Sequence, residues 1–462
     1  MSFGKETDLA SGNVRMQLLR LCVPVTIGML MQNLYAIVDL YWVGRLGPNA
    51  IAAVAISGVF FFVFFSIAQI IGVGALALVA RSIGQGKPEN GVLTIRNSSF
   101  ASALVGVMLS IAGFVYAREI IVMLGGKGEV ILLGEQFFKP FAIGFFFQMM
   151  LFPLTAAMRG TGDMRTPMNL MVITNALNFV LDPLLIYGWG PFPKWGVAGA
   201  GIATTLSTGI AAGYAYYALA AGKSNLTVRI GKHFRPDWSI IFLVIRIGAP
   251  SGVQFGFLSL SIMMLMKAVA GYGMESVAAF GACNRLLSIA FIPMMGIGAA
   301  VSAIVGQSLG AGKPHRVIAA NRAGIVMAVV GSGIIAAAFA LFPDFFMGFF
   351  TKSGKVLALS RDFLRISFIH EMFLAVAVIY NSTFSGAGDN ISSMIAAVIR
   401  SLLLIALGFT LPGMWRLGIN GVWLSFPISS FIGMFLVGYM FRLGRWKTHM
   451  NKYDDMIDSQ GI

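Results

Sequence analysis

Residues 82–88 read Ser-Ile-Gly-Gln-Gly-Lys-Pro, and residues 308–314 read Ser-Leu-Gly-Ala-Gly-Lys-Pro, an offset of 226. The same offset carries Arg159-Gly160-Thr161-Gly162-Asp163 onto Ser385-Gly386-Ala387-Gly388-Asp389, and Pro24 with Gly47 onto Pro250 with Gly273. Two copies of one unit therefore fill the 462 residues. In a chain as apolar as this one, a duplication of half the length points to a transporter built from structural repeats, with a solute path between the halves.

Hydrophobic residues make up 57% of the chain and charged residues 11%. Soluble domains carry about 25% charged residues, so this composition belongs in a bilayer. Crossing the hydrocarbon core takes about 20 apolar residues in a helix. Such segments fall at 18–43, 51–80, 97–117, 136–158, 167–188, 196–221, 240–270, 276–305, 318–342, 362–384, 392–412 and 418–441. Barrel strands would alternate apolar and polar residues, and runs such as Val54 to Ile71 do not. The expected fold is an all-α membrane protein of twelve transmembrane helices in two six-helix repeats. It divides into an N-terminal lobe 1–221, a cytoplasmic linker 222–238, a C-terminal lobe 239–442 and a cytoplasmic tail 443–462.

The first apolar segment is too long for the core of a cleaved signal peptide and reads as a retained helix. Cys22 and Cys283 lie in apolar stretches and read as packing residues, with no disulfide. With both termini inside, the inner loops and tails, Arg400 among them, hold 21 Lys and Arg against 10 outside. The positive-inside rule then places both termini in the cytoplasm. The net charge of +15 needs no nucleic acid, since the bases are spread over short loops with no binding module.

Three enzyme-like strings fail on context. Gly306-Gln307-Ser308-Leu309-Gly310 matches a nucleophile elbow but closes a membrane helix rather than a strand. Pro88 and Pro314 stand where a phosphate loop needs Ser or Thr for magnesium. His370-Glu371 lacks the second His of a zinc protease. No enzyme, metal or cofactor is implied.

Asp39, Asp182 and Glu371 are the acids well inside apolar helices, and each costs about 2.5–3.5 kcal/mol at a helix centre on insertion scales. Gln32, Tyr35 and Asp39 are spaced i, i+3, i+7, as are Asn175, Asn178 and Asp182, so each set forms one polar stripe. Asp39 is eight residues before Gly47 and Asp182 eight before Gly190, about 12 Å along a helix in both cases. Thr204 and Thr205 lie at a comparable depth. At the 226 offset Asp39 maps onto Leu265, Asn178 onto Leu404 and Asp182 onto Gly408. The stripe is thus confined to the first copy, which argues for an ion or proton site there.

Gln32-Asn33-Leu34-Tyr35-Ala36-Ile37-Val38-Asp39, Arg159-Gly160-Thr161-Gly162-Asp163 and Asn178-Phe179-Val180-Leu181-Asp182-Pro183 resemble strings of the multidrug and toxic compound extrusion family, in order and over the whole chain. The resemblance implies two six-helix lobes in a V and export of cationic or amphiphilic drugs in exchange for protons or sodium. The placement of Asp39, Asn178 and Asp182 is similar to the DinF-type branch, in which this cluster takes up the proton, and Pro24 matches the proline at which the first helix bends. The branch with acids in helices 7 and 10 fits less well, because helix 7 has none and Glu371 does not clearly match the helix-10 site. The expected partners are membrane lipids and a cationic or amphiphilic substrate, the expected state a monomer. Met and Phe, including Phe145-Phe146-Phe147-Gln148-Met149-Met150, are candidate adaptable walls. The competing readings are sodium coupling and a flippase for a lipid-linked or glycan precursor. A flippase would need bases for phosphates, and only Lys267 and Arg285 read as lying in apolar helices.

Overall fold

The computed structural model describes residues 8–228 and 234–449, without the side chains of residues 35–37, 40, 62 and 415. Arg229 and Lys232 of the linker, the tail from 450 onward and the side chain of Tyr35 lie outside the described residues. Fourteen helices are described: α1 Val14–Gly44, α2 Pro48–Gly84, α3 Pro88–Val115, α4 Ala117–Met123, α5 Glu129–Gly160, α6 Arg165–Tyr187, α7 Val197–Ala220, α8 Trp238–Ala270, α9 Met274–Gly310, α10 Pro314–Leu341, α11 Pro343–Met347, α12 Gly354–Ala387, α13 Asn390–Thr410 and α14 Ile419–Leu443. Twelve of them are long, six per repeat, and no strand occurs among the described residues.

Both bounds of α2 and α3 recur 226 residues later in α9 and α10. The short helices α4 and α11, seven and five residues long, start at the same offset. They leave no trace in a hydropathy reading because neither is long enough to form an apolar span. Eleven of the long helices are apolar enough to cross a membrane. The twelfth, α7, is rich in Gly, Ala and Thr, and these small residues permit close backbone approach. A Cβ at Gly199 would collide with the Leu185 carbonyl, and one at Gly201 with that of Phe137.

The repeated motifs turn out to be helix stops. Lys87 N–H donates to Ser82 O at 3.0 Å and Gly86 N–H to Ile83 O at 3.1 Å, and the second copy repeats this with Lys313 to Ser308 at 2.8 Å and Gly312 to Leu309 at 3.0 Å. This paired closure with a left-handed glycine is the Schellman turn, and Gly86 and Gly312 have φ of 73° and 68°. Proline then opens the next helix, where its missing donor costs nothing. Asp163 to Met158 and Asp389 to Phe384 close the other motif in the same way, each at 3.0 Å. The two aspartates cap the following helices through Thr166 N–H at 3.0 Å and Ser392 N–H at 3.5 Å.

By contacts the described residues group into one unit of 8, 27–228 and 234–252 and a second of 9–26 and 253–449. Both changeovers obey the repeat, since 252 − 26 = 226, and each falls two residues after a helix proline, Pro24 in α1 and Pro250 in α8. The first half of each repeat's leading helix thus belongs to the unit of the other copy. In the first unit α5 packs against α2, α3 and α7; in the second, α12 packs in the corresponding way against α9, α10 and α14. The segments ahead of these half-helices are bonded down. Arg316 donates to Leu9 O and Ser11 O at 3.0 Å in the second unit, and Asp237 N–H donates to Asn97 Oδ1 at 2.7 Å in the first.

Candidate functional site

In the first unit α6 packs against α7, while α1 meets α6 where Gly28 lies against Met171. Asn178 and Asp182, one turn apart on α6, are fully buried, and Thr204 on α7 is nearly so. Asn178 Nδ2 lies 3.5 Å from Thr204 Oγ1. Asp39 comes from α1 and lies near Asp182. Both carboxylate oxygens of Asp182 are buried without a donor. Asp39 Oδ1, Asn178 Oδ1 and Asn175 Nδ2 are likewise buried without partners. Buried polar atoms are nearly always bonded, and an unpaired ionised carboxylate is costly enough to neutralise instead. Four acceptor oxygens gathered here suit a proton or a small cation.

The second unit offers an internal control. Leu265 and Gly408, the counterparts of Asp39 and Asp182, touch there, since a Cβ on Gly408 would lie 2.5 Å from Leu265 Cδ2. Leu265 and Leu404 belong to one apolar core with Phe280 and Trp423. The same helix contact is therefore dry and apolar in one copy and acidic in the other. A role in holding helices together is met without carboxylates in the second copy, so their presence in the first calls for another reason.

Aromatic residues close the end of this site toward Gly47. Tyr187 O–H donates to Trp42 O at 2.5 Å, tying α6 to α1. Trp42 packs edge-on against Tyr41, Phe179, Tyr187 and Trp189. The Arg45 guanidinium lies over the Tyr41 ring at 4.6 Å and bonds its hydroxyl. This lid went unread in the sequence, although paired aromatics at helix ends, Tyr41-Trp42 and Tyr187 with Trp189, are the signal expected at a membrane interface.

Other expected site residues distribute differently. Gln32 is exposed, two turns from Asp39 toward Pro24, and so is not part of the buried cluster. Glu371 belongs to the second unit, 3% exposed with Oε2 unpartnered, beside His370, whose Nδ1 lies 2.9 Å from Ser430 Oγ. Lys267 and Arg285 are exposed. Arg400, counted as an inner-loop base, instead lies ten residues into α13 with its stem packed on Gly433. Phe145 and Met149 are fully buried; Phe145 stacks on Phe64 at 4.8 Å, so these two are core residues and not an adaptable wall.

A helical, multi-pass membrane transporter is the class that this fold and site define. The sequence model of the MatE family matches residues 24–184 and 250–410, two stretches related by the same 226-residue offset, and the chain belongs to that family. A probable multidrug resistance protein of Bacillus subtilis (strain 168), YoeA, is 26% identical over 424 residues, covering 90% of this chain and 91% of its own. The probable multidrug resistance protein NorM of Thermotoga maritima is 26% identical over 435 residues, covering 94% and 93%. A solved MOP superfamily transporter from Pyrococcus furiosus superposes with a TM-score of 0.89 at 26% identity, covering 97% of this chain and all of that one.

Proposed function

We propose that the chain is a DinF-type, proton-coupled antiporter that exports cationic or amphiphilic compounds, with Asp39 and Asp182 as the proton-binding pair. The observation that carries this reading is the contrast between the two units, acids at one helix contact and Leu265 with Gly408 at the other. A carboxyl pair sharing a buried site favours holding at least one proton. Neutralisation removes the need for solvent at the cluster, and so biases α1 toward tighter packing on α6. Loss of the proton reverses that bias. Pro24, which removes one helix hydrogen bond, gives α1 a place to bend between two such packings. Asn178 and Thr204 orient the pair, and the Trp42–Tyr187 bond steadies its aromatic lid. No cofactor takes part. The working state is a monomer in the inner membrane with both termini in the cytoplasm, and residues 222–238 link the two repeats on that side.

Sodium is the second reading, favoured by the four unpartnered oxygens of Asp39, Asp182 and Asn178 together with Thr204 Oγ1. A phosphate-bearing flippase substrate ranks behind both, because no group of bases accompanies the acidic cluster of Asp39, Asn178 and Asp182 among the described residues.

The test is efflux of a fluorescent cation from proteoliposomes. Asp39→Asn and Asp182→Asn should each abolish gradient-driven efflux while dye binding in detergent persists. Unchanged efflux in both variants would assign the pair to helix anchoring.

A further inference from the structure

A cavity of about 220 Å³ opens in the first unit between α3, α5, α7 and the linker. It lies outside the acidic cluster. Its walls are almost wholly apolar, with Phe100, Ala103, Leu154 and Leu219 from the helices and Val228 and Phe234 from the linker. Both of these residues are held to the helices: Val228 N–H donates to Leu219 O at 3.0 Å and Phe234 packs on the Phe100 ring at 6.3 Å. Three polar side chains, Arg96, Ser99 and Tyr216, interrupt the described lining. Arg96 stands at one side, and Ser99 Oγ is buried there without a partner.

Depth and size narrow the occupant. Arg96 is eight residues into α3 and Tyr216 four residues before the end of α7, which places them about 12 Å and 6 Å from the linker-side helix ends. The polar headgroup layer of a leaflet is about 5–7 Å deep, so Tyr216 lies at headgroup level and the Arg96 backbone in the acyl region; helical side chains tilt toward the helix N-terminus and arginine snorkels, which lets the Arg96 guanidinium reach back toward the headgroups. A dry cavity of about 150 Å³ already takes one benzene, whereas drug-sized ligands occupy about 300–1,000 Å³. The space therefore accepts a length of hydrocarbon chain and not a whole drug. None of its described lining residues is acidic. A guanidinium has five N–H donors, so Arg96 can serve a phosphate alongside the bonds it makes within the protein.

We propose that this cavity holds one acyl chain of an anionic phospholipid, with the headgroup phosphate on Arg96 and with Val228 and Phe234 on its outer side. The proposal rests on the reading of the linker side as cytoplasmic only for the choice of leaflet. Binding in detergent does not depend on that orientation, so the two can fail separately.

Native mass spectrometry of the full chain, given equal phosphatidylglycerol and phosphatidylcholine of one chain composition, tests it. The wild type should retain one phosphatidylglycerol in preference. Arg96→Gln should lose that preference by about tenfold, the effect of one charge-assisted hydrogen bond, while still binding either lipid. Ala103→Phe, which fills the cavity, should lower retention of both lipids by a similar factor at an unchanged melting temperature. Retention by Ala103→Phe equal to the wild type, or no headgroup preference in the wild type, overturns the proposal. One-for-one displacement of the lipid by the transported dye also overturns it, by making the cavity a substrate site. The Arg96→Gln result stands alone should Ala103→Phe fail to fold.

Discussion

Asp182 and Gly408 occupy equivalent places in two copies of one fold, and only the acid leaves buried oxygens without donors. The second copy demonstrates that the helix contact needs no charge. Replacing a buried polar pair by apolar residues of similar volume is often neutral or stabilising. Asp39→Leu should accordingly keep or raise the melting temperature in detergent while transport disappears. A fall in melting temperature together with the loss of transport would make Asp39 a structural residue. The copy asymmetry was legible at these positions, since Leu265, Leu404 and Gly408 are read off at one offset, whereas the Gln32 end of the helix-1 stripe is exposed and stands apart from Asp39. The places of Arg400 and Phe145 were not legible. Spacing says which face a residue shares but not which helix that face meets: Arg400 falls inside the apolar segment 392–412 yet was counted with the inner-loop bases, and its stem packs against Gly433.

At the scale of elements, the repeated Gly-Lys-Pro turns were visible as a motif, but their work as Schellman closures appears only in the paired backbone bonds. Gly86 and Gly312 sit at φ of 73° and 68°, where an L side chain costs about 1–2 kcal/mol. No other heavy atom comes near either Cβ position, so the backbone strain is the whole effect. Gly86→Ala and Gly312→Ala should therefore lower stability by similar amounts, and melting curves that differ widely between them would show that the two turns are not equivalent. Helices α4 and α11 escaped the sequence reading for want of length, and α7 stands out less than its neighbours because close packing replaced hydropathy with small residues. The halving of α1 after Pro24 was readable as a bend but not as a change of unit. Pro24→Ala restores the missing helix donor and stiffens that junction. Its expected outcome is an efflux rate several-fold lower with dye affinity unchanged, checked by comparing initial rates with equilibrium binding. A wild-type rate would remove the proline from the transport cycle.

For the whole molecule, the duplication was legible in full, since one offset of 226 residues predicts six helices per copy and the family match repeats it. What the offset alone does not reveal is that each copy lends the first half of its leading helix to the other unit. On the proposed reading, proton binding at Asp39 acts on α1, whose residues 9–26 group with the second unit. The coupling ion is therefore the point on which the account turns. A proton needs one carboxyl group held neutral, whereas sodium needs several oxygens at once, and both have a physical basis in the Asp39, Asn178, Asp182 and Thr204 cluster. Dye efflux from proteoliposomes in sodium-free buffer, driven by an imposed inward proton gradient, separates them. The account predicts efflux that grows with the proton gradient and vanishes in Asp39→Asn. Efflux that stays absent until sodium is added would contradict it.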